Sequence, residues 1–451
     1  MMFSRRSHFY RLLAGFSVLA CSLVSPAGAA DDSALLEVEM SSPLVLAGAP
    51  RTAYLRIGLR GLRHATEDRA PLNVAIVLDR SGSMQGEKID EAKRAAIAAL
   101  DRLRPDDIVS VVSYQSTVDV VVPATKLRDR RTVQDAIQRI QASGKTALFG
   151  GVSKGAGELE KFLDENRVNT LLLLSDGLAN VGPSSPGELR QLGVSLARQG
   201  ISVTTIGLGL NYNEDLMTGL AMASDGNHFF VEDARDLESV FAAEFGDAVS
   251  VVAQGVRIRV RCADNVRPIR VLGRDAQISG QDVYASMNQL FHDQTRFLML
   301  EVEISPGAPG RVQQVADVEV GYRNLMTAQN RTLQSSATVT AAANKAAVER
   351  RKNRDVAVEV VRQIGAEQAQ AATILRDKGK VDEARIAFEK NSAYLESNAA
   401  VLKDETLREE AVSNSRASQK VDNDAEWQRE RKVQQEAQYK TRQQRIDASP
   451  K

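Results

Sequence analysis

The chain has 451 residues, with 58 lysines and arginines against 58 aspartates and glutamates, so its formal net charge is zero. Such a balance lays down no electrostatic footprint for nucleic acid or anionic lipid, so no nucleic-acid partner is expected. The length allows roughly two to four structural units, and an apolar fraction of 43% is ordinary for a globular protein.

Residues 1–30 read as a secretory signal peptide. Arginines come first, an apolar stretch follows from Leu12 to Val24, and small residues end at Ala27-Gly28-Ala29. The apolar run is too short to span a bilayer, and no other run in the mature chain is long enough. Cys21 sits in a poor lipid-attachment box, because the residues before it include bulky Leu19. Arg5 and Arg6 point to the folded-export route. The expectation is a cleaved, exported protein, periplasmic or secreted. Cleavage leaves Cys262 as the only cysteine, so no intramolecular disulfide can form. The alternation in "VRIRVRC" puts it on the face of Val256, Ile258 and Val260, as a small buried apolar residue.

From 31 to 70 the apolar period is two, with Leu36, Val38 and Met40, then Leu55, Ile57 and Leu59, marking half-buried strands. From 71 to 249 short apolar runs alternate with helical stretches. "LNVAIVLD", "DIVSVVSY", "TLLLLSD", "ISVTTIGLG" and "HFFVED" read as strands, separated by amphipathic helices. Strands apolar throughout imply a mainly parallel sheet covered on both faces, a doubly wound α/β fold. "VDVVVP" is expected to pair back on "DIVSVVSY" as an edge hairpin ended by Pro123.

From 250 to 340 the period returns to two, in "GVRIRVRC", "PIRVLG", "RFLMLEVEI" and "VADVEVGY". Neither strand-rich part has enough strands to close a core alone. The α/β domain is therefore expected to be inserted into a β-sandwich-like domain whose two parts flank it. Residues 341–420 read as helical, with a break at Gly379. Residues 421–451 are rich in Gln, Arg and Glu, which fits either a charged helix or a disordered tail.

The chemistry concentrates where strands end. "AIVLDRSGSM" stops a buried strand on Asp79, Ser81 and Ser83. In a parallel α/β sheet, ligands bind beyond the carboxyl ends of the strands. A carboxylate and two hydroxyls at alternate positions of a tight loop can converge on one hard cation, which suits Mg²⁺, Mn²⁺ or Ca²⁺ and not zinc. Two other strand-end loops add oxygens: "ASGKTALFGG" offers Thr146, and "LLLLSDG" ends on Asp176 with Gly177 for the turn.

In this set and order the chain resembles the von Willebrand factor type A domain with its metal-ion-dependent adhesion site. "VLDRSGSM" fits the DxSxS motif, "SGKTAL" the threonine loop and "LLSDG" the second aspartate, over about residues 72–249. The resemblance implies that Ser81, Ser83 and Thr146 coordinate the cation directly, while Asp79 and Asp176 act mostly through water. It also implies an open coordination position, completed by a glutamate or aspartate of a protein partner. The order of the whole chain is similar to a group of exported bacterial proteins whose type A domain sits between strand-rich segments. "ILRDKGKVDEARIAFEK" faintly resembles one tetratricopeptide-type hairpin, with Gly379 at the turn and Ala384 in the second helix, and reads equally well as a plain two-helix segment.

The residues argue against an enzyme. The four histidines, His8, His64, His228 and His292, are spaced for neither zinc nor a catalytic triad. Nothing near Ser81 or Ser83 reads as a base to deprotonate them. Glu214 and Asp215 lie beyond another strand end, where they either line the same rim or start the next helix. There is no phosphate-binding GxxxxGK motif and no dinucleotide fingerprint. The reading is a metal-dependent adhesion or scaffolding module. The alternatives are a metal-dependent hydrolase and an assembly protein that works through its helical C-terminus.

Overall fold

A computed structural model of the chain describes residues 33–63 and 69–444. The expected leader over 1–30, with Arg5, Arg6, His8 and Cys21, lies outside the described residues, as does His64. No helix among the described residues is long and apolar enough to cross a membrane.

Three strands open the fold: β1 (Ala34–Met40), β2 (Leu44–Leu46) and β3 (Arg51–Gly61). An α/β unit follows, with β4 (Leu72–Asp79), α1 (Glu87–Leu100), β5 (Ile108–Tyr114), β6 (Val118–Lys126), α2 (Arg130–Gln138) and α3 (Leu148–Glu160). It continues through β7 (Val168–Ser175), α4 (Pro186–Arg198), β8 (Ile201–Leu208), α5 (Glu214–Ser224), β9 (His228–Val231) and α6 (Leu237–Val249). Its sheet runs β6-β5-β4-β7-β8-β9, parallel except for β6. Every residue of β4, β5, β7 and β8 is buried, which is why they read as unbroken apolar runs.

Alternation along β4 serves two helical layers. Leu72, Val74, Ile76 and Leu78 pack with α1, α2 and α6, while Ala75 and Val77 face α3, α4 and α5. The close approach of α3 requires glycine: a Cβ on Gly151 would lie 2.6 Å from the Tyr114 ring, and one on Gly155 2.6 Å from Val77. Pro123 does not end the edge hairpin as expected. β6 runs on to Lys126, because the register slips between Val109 and Val111, and an edge strand with a bulge tolerates a proline.

The remaining strands are β10 (Val251–Cys262), β11 (Val266–Leu272), β12 (Gln277–Ser279), β13 (Asp282–Phe291), β14 (Thr295–Ile304), β15 (Val312–Asn324) and β16 (Gln329–Ala342). They join the opening strands in two sheets, β1-β3-β14-β11 and β12-β13-β10-β15-β16-β2. The insertion is thus real: β3, before the α/β unit, pairs antiparallel with β14, after it, with Ile57 opposite Leu298. Leu55, Ile57, Leu59, Leu298 and Leu300 meet Val256, Ile258, Val260 and Val320 in one core. Cys262 closes that face of β10, and burial pushes its thiol up to about 11. At the junction the two cores merge, since Val251, Phe291 and Leu325 pack into the α/β unit.

Among the described residues five helices follow: α7 (Lys345–Arg350), α8 (Arg354–Asp377), α9 (Val381–Leu402), α10 (Glu405–Lys420) and α11 (Asp424–Gln443). Gly379, at φ +74°, makes the tight turn between α8 and α9. Val356 and Val360 of α8 cover the outer face of β14 through Phe297 and Met299. Over Asp424–Gln443 the charged end is a helix. Trp427 stacks edge-on against Phe388, and long polar side chains bury the rest of one face of α11.

That helix lies lengthwise along the α/β unit. Gln428 donates to the Leu210 carbonyl at 3.0 Å, Lys432 to Glu214 at 2.6 Å and the Tyr212 carbonyl at 3.1 Å, and Arg431 to Asp215 at 2.8 Å. At its far end Tyr439 donates to the Gly226 carbonyl, and Gln443 accepts from Arg296 at 2.7 Å.

Candidate metal centre

Three loops meet beyond the carboxyl ends of β4 and β7, the two central strands. Asp79 is the last residue of β4 and is fully buried. Its Oδ1 accepts from the Ser81 backbone N–H at 2.8 Å and its Oδ2 from the Ser175 hydroxyl at 2.8 Å. Burial pushes its carboxyl up to about 6, against the pull of the Ser81 and Ser175 hydrogen bonds, and nearby Asp176 pushes in the same direction as burial.

The chain then turns through a short 3-10 turn over Gly82–Met84, which brings the Ser81 and Ser83 hydroxyls within 3.1 Å of each other. Ser83 donates onward to Asp176 Oδ1 at 2.6 Å. One polar chain therefore links Asp79, Ser81, Ser83 and Asp176. The other oxygen of Asp176 takes the Lys88 ammonium, from the first turn of α1.

The loop before α3 is stitched onto this arrangement. Gly82 donates to the Gly144 carbonyl at 3.0 Å and Ser143 to the Arg80 carbonyl at 2.7 Å. Thr146 is held by Asn180, whose Oδ1 accepts the Thr146 N–H at 2.9 Å and whose own N–H donates to the Thr146 carbonyl at 3.1 Å. A Cβ on Gly177 would stand 3.4 Å from both the Ser83 and the Thr146 hydroxyls, so these two oxygens flank one small space. All five residues named from the sequence, Asp79, Ser81, Ser83, Thr146 and Asp176, lie at this rim.

The donor set fits a hard divalent ion. It comprises three neutral hydroxyls and two carboxylates, with one ammonium to offset their charge. Among the described residues no group of three or more His, Cys, Asp or Glu side chains is placed to hold a metal ion. Ser83 is exposed while Asp79, Ser81, Thr146 and Asp176 are buried, so access is from one side.

Other candidates fall away from the rim. Glu214 and Asp215 start α5 behind its Asn213 cap, and their carboxylates are turned to Arg431 and Lys432 of α11. His228 is buried against Thr205 and Tyr212, and His292 sits at the sandwich junction. The sequence reading had not singled out Lys88, Ser175 or Asn180. Of the three only Ser175 stands beside a named position, Asp176; Lys88 and Asn180 carry no local signal.

Comparison with known proteins agrees with the fold. Residues 73–243 match the von Willebrand factor type A domain. The uncharacterized protein sll0103 of Synechocystis is 27% identical over 309 residues, which is 66% of this chain and 73% of that protein. The chain spans 38% of the length of protein YfbK of Escherichia coli and 22% of that of human inter-alpha-trypsin inhibitor heavy chain H3. A von Willebrand factor type A protein from Catenulispora acidiphila superposes with a TM-score of 0.68 at 17% identity, over 83% of this chain and 89% of that one. The ArnB paralog VWA2 from Sulfolobus acidocaldarius gives 0.63 at 18% identity, over 91% and 98%. A matched segment, a doubly wound sheet and strand-end loops in the right order together identify residues 73–243 as a von Willebrand factor type A domain, carried between two halves of a β-sandwich.

Proposed function

We propose that the rim binds a divalent cation, Mg²⁺ first among Mg²⁺, Mn²⁺ and Ca²⁺, and uses it to capture an acidic side chain of a protein partner. Type A domains commonly mediate protein–protein interaction and often hold such a cation. The cation would supply an electrophilic centre for an outside carboxylate. Ser81, Ser83 and Thr146 would offer it neutral oxygens, and Asp79 and Asp176 would balance its charge. The observation that carries this reading is the continuous polar chain from Asp79 to Asp176 beside Thr146, with Ser83 open to solvent. Leu178, 59% exposed next to Gly177, offers such a partner an apolar contact beside the charge.

The protein acts in this reading as a binding module and not as an enzyme, in the periplasm or outside the cell, after loss of its leader. Assembly through the C-terminal helices alone is less favoured, since Arg431 and Lys432 of α11 are already spent on Glu214, Asp215 and Asp377 within the chain. A pull-down from the exported fraction, with and without EDTA, tests the proposal. A partner retained by the wild type should be lost in EDTA, in Asp79→Ala and in Thr146→Ala, with thermal unfolding confirming that both variants fold. Retention in EDTA would overturn it.

A further inference from the structure

A second site is built at the opposite end of the α/β sheet. There a cleft of about 1020 Å³ separates the base of the type A domain from the outer face of the six-stranded sheet, with the last turn of α11 at one side. That volume is in the range of small-molecule sites. Six arginines and four carboxylates line it, and the carboxylates are already committed. Asp225 takes Arg296 at 2.7 Å, Arg274 at 3.2 Å and the Asn288 backbone N–H at 2.6 Å. Glu165 pairs with Arg323 at 3.3 Å, Asp275 pairs with Arg190, and Asp164 accepts from Asn166 at 2.8 Å. Arg198 and Arg257 have no carboxylate partner among the described residues, so the wall keeps a surplus of positive charge.

Arg274 is deeply set in this wall, its side chain only 9% exposed. Its Nη1 is used by Asp225 and by the Ser286 carbonyl at 3.4 Å, but its Nε and Nη2 are buried with no acceptor. Asn288 Nδ2, on the same wall, is likewise without one. Asp225 is saturated with donors and cannot serve them. A guanidinium buried with two nitrogens unmet needs an acceptor that the fold does not provide, and a planar fork best fits an oxyanion.

We propose that this cleft binds a small multivalent oxyanion, a phosphate or carboxylate cluster, with Arg274 and Arg257 as its anchoring donors. Arg257 stands across from Ser286 in the β10–β13 ladder, which places both arginines on the same wall. The site is independent of the cation rim.

Calorimetric titration of the full chain with pyrophosphate, and separately with citrate, tests the proposal at fixed ionic strength in EDTA. One saturable site is expected with at least one of the two probes. Pyrophosphate binding would assign the phosphate source and citrate binding the carboxylate source. Affinity should be retained in Asp79→Ala and should fall about tenfold or more in Arg274→Gln and Arg257→Gln, as loss of a charge-assisted pair requires. Arg274 also supports Asp225, so circular dichroism must accompany that variant. Arg257 is exposed and unpaired, and its replacement leaves the fold intact. No saturable binding of either probe, or wild-type affinity in Arg257→Gln, would overturn the proposal.

Discussion

Lys88 is the cation that the rim already holds, and its removal should destabilise the empty protein while strengthening metal binding. Its ammonium bonds Asp176 Oδ2, while Ser83 takes Oδ1. Lys88→Met keeps the stem and deletes the charge. Asp176 is fully buried, so the lost charge-assisted hydrogen bond is worth about 1.5–3 kcal/mol in a dry site. A third of the Lys88 side chain is exposed, at 33%, and solvent screening brings the loss to about 1 kcal/mol. The variant in EDTA should therefore unfold at lower urea, by about that free energy. A divalent ion would no longer compete with an ammonium for the same carboxylate, so the Kd for Mg²⁺ should fall about fivefold. Saturating Mg²⁺ should then recover the lost stability. Calorimetry with Mg²⁺ and Mn²⁺, paired with urea titrations, measures both effects. Unchanged or weaker metal binding in Lys88→Met would refute the idea that the ammonium and the metal share Asp176.

Three further outcomes are expected. Burial, with Lys432 and Lys440 nearby, holds the His228 pKa down to about 3, against about 6.5 in the unfolded chain. Stability from this residue is present above pH 6.5 and is lost as pH falls, because only the unfolded state takes up the proton. Between pH 7 and 5 the loss is about 2 kcal/mol, and urea titrations of His228→Gln should show that part of the slope gone. Glu214→Gln leaves Lys432, only 2% exposed, without its carboxylate, at about 3–5 kcal/mol. Adding Lys432→Met should restore at least about 2 kcal/mol, and effects additive within about 0.5 kcal/mol would show the pair to be uncoupled. Within α3, Gly151→Val should cost about 1–3 kcal/mol by collision with Tyr114, whereas Gly157→Ala, facing open space, should stabilise by up to about 1 kcal/mol in the same denaturant assay.

The parallel sheet was legible because β4, β5, β7 and β8 are buried on both faces and so appear as bare apolar runs. The sandwich was harder. β13 and β16 were not recognised, since "DVYASMNQLF" and "QNRTLQSSATVTAA" mix small and polar residues with little apolar alternation. Their pairing with β10 and β15 is what orders them. At the rim, strand ends and oxygen-bearing residues pointed to Asp79, Ser81, Ser83, Thr146 and Asp176. Lys88 and Asn180 reach it from a helix and a long loop, by contacts that no periodicity records. The docking of α11 was hidden for a related reason. Glu430, Gln434 and Gln438 are buried toward α8 and α10, Lys432 is buried on the opposite side toward the α/β unit, and the partners of Lys432 stand some two hundred residues earlier in the chain. Hydrophobic patterning cannot register a face that is buried through hydrogen bonds and ion pairs.

The insertion has a mechanical meaning. The chain enters the type A domain at Leu72 and leaves through α6 into β10, both at the pole opposite the rim, where the two cores merge at Val251, Phe291 and Leu325. A tug on anything gripped at the rim would run lengthwise down the central strands. Neighbouring strands would then be loaded in shear, with their hydrogen bonds sharing the force together instead of unzipping one by one. Lying alongside from Leu210 to Phe297, α11 would act as a stay against bending of the tethered domain.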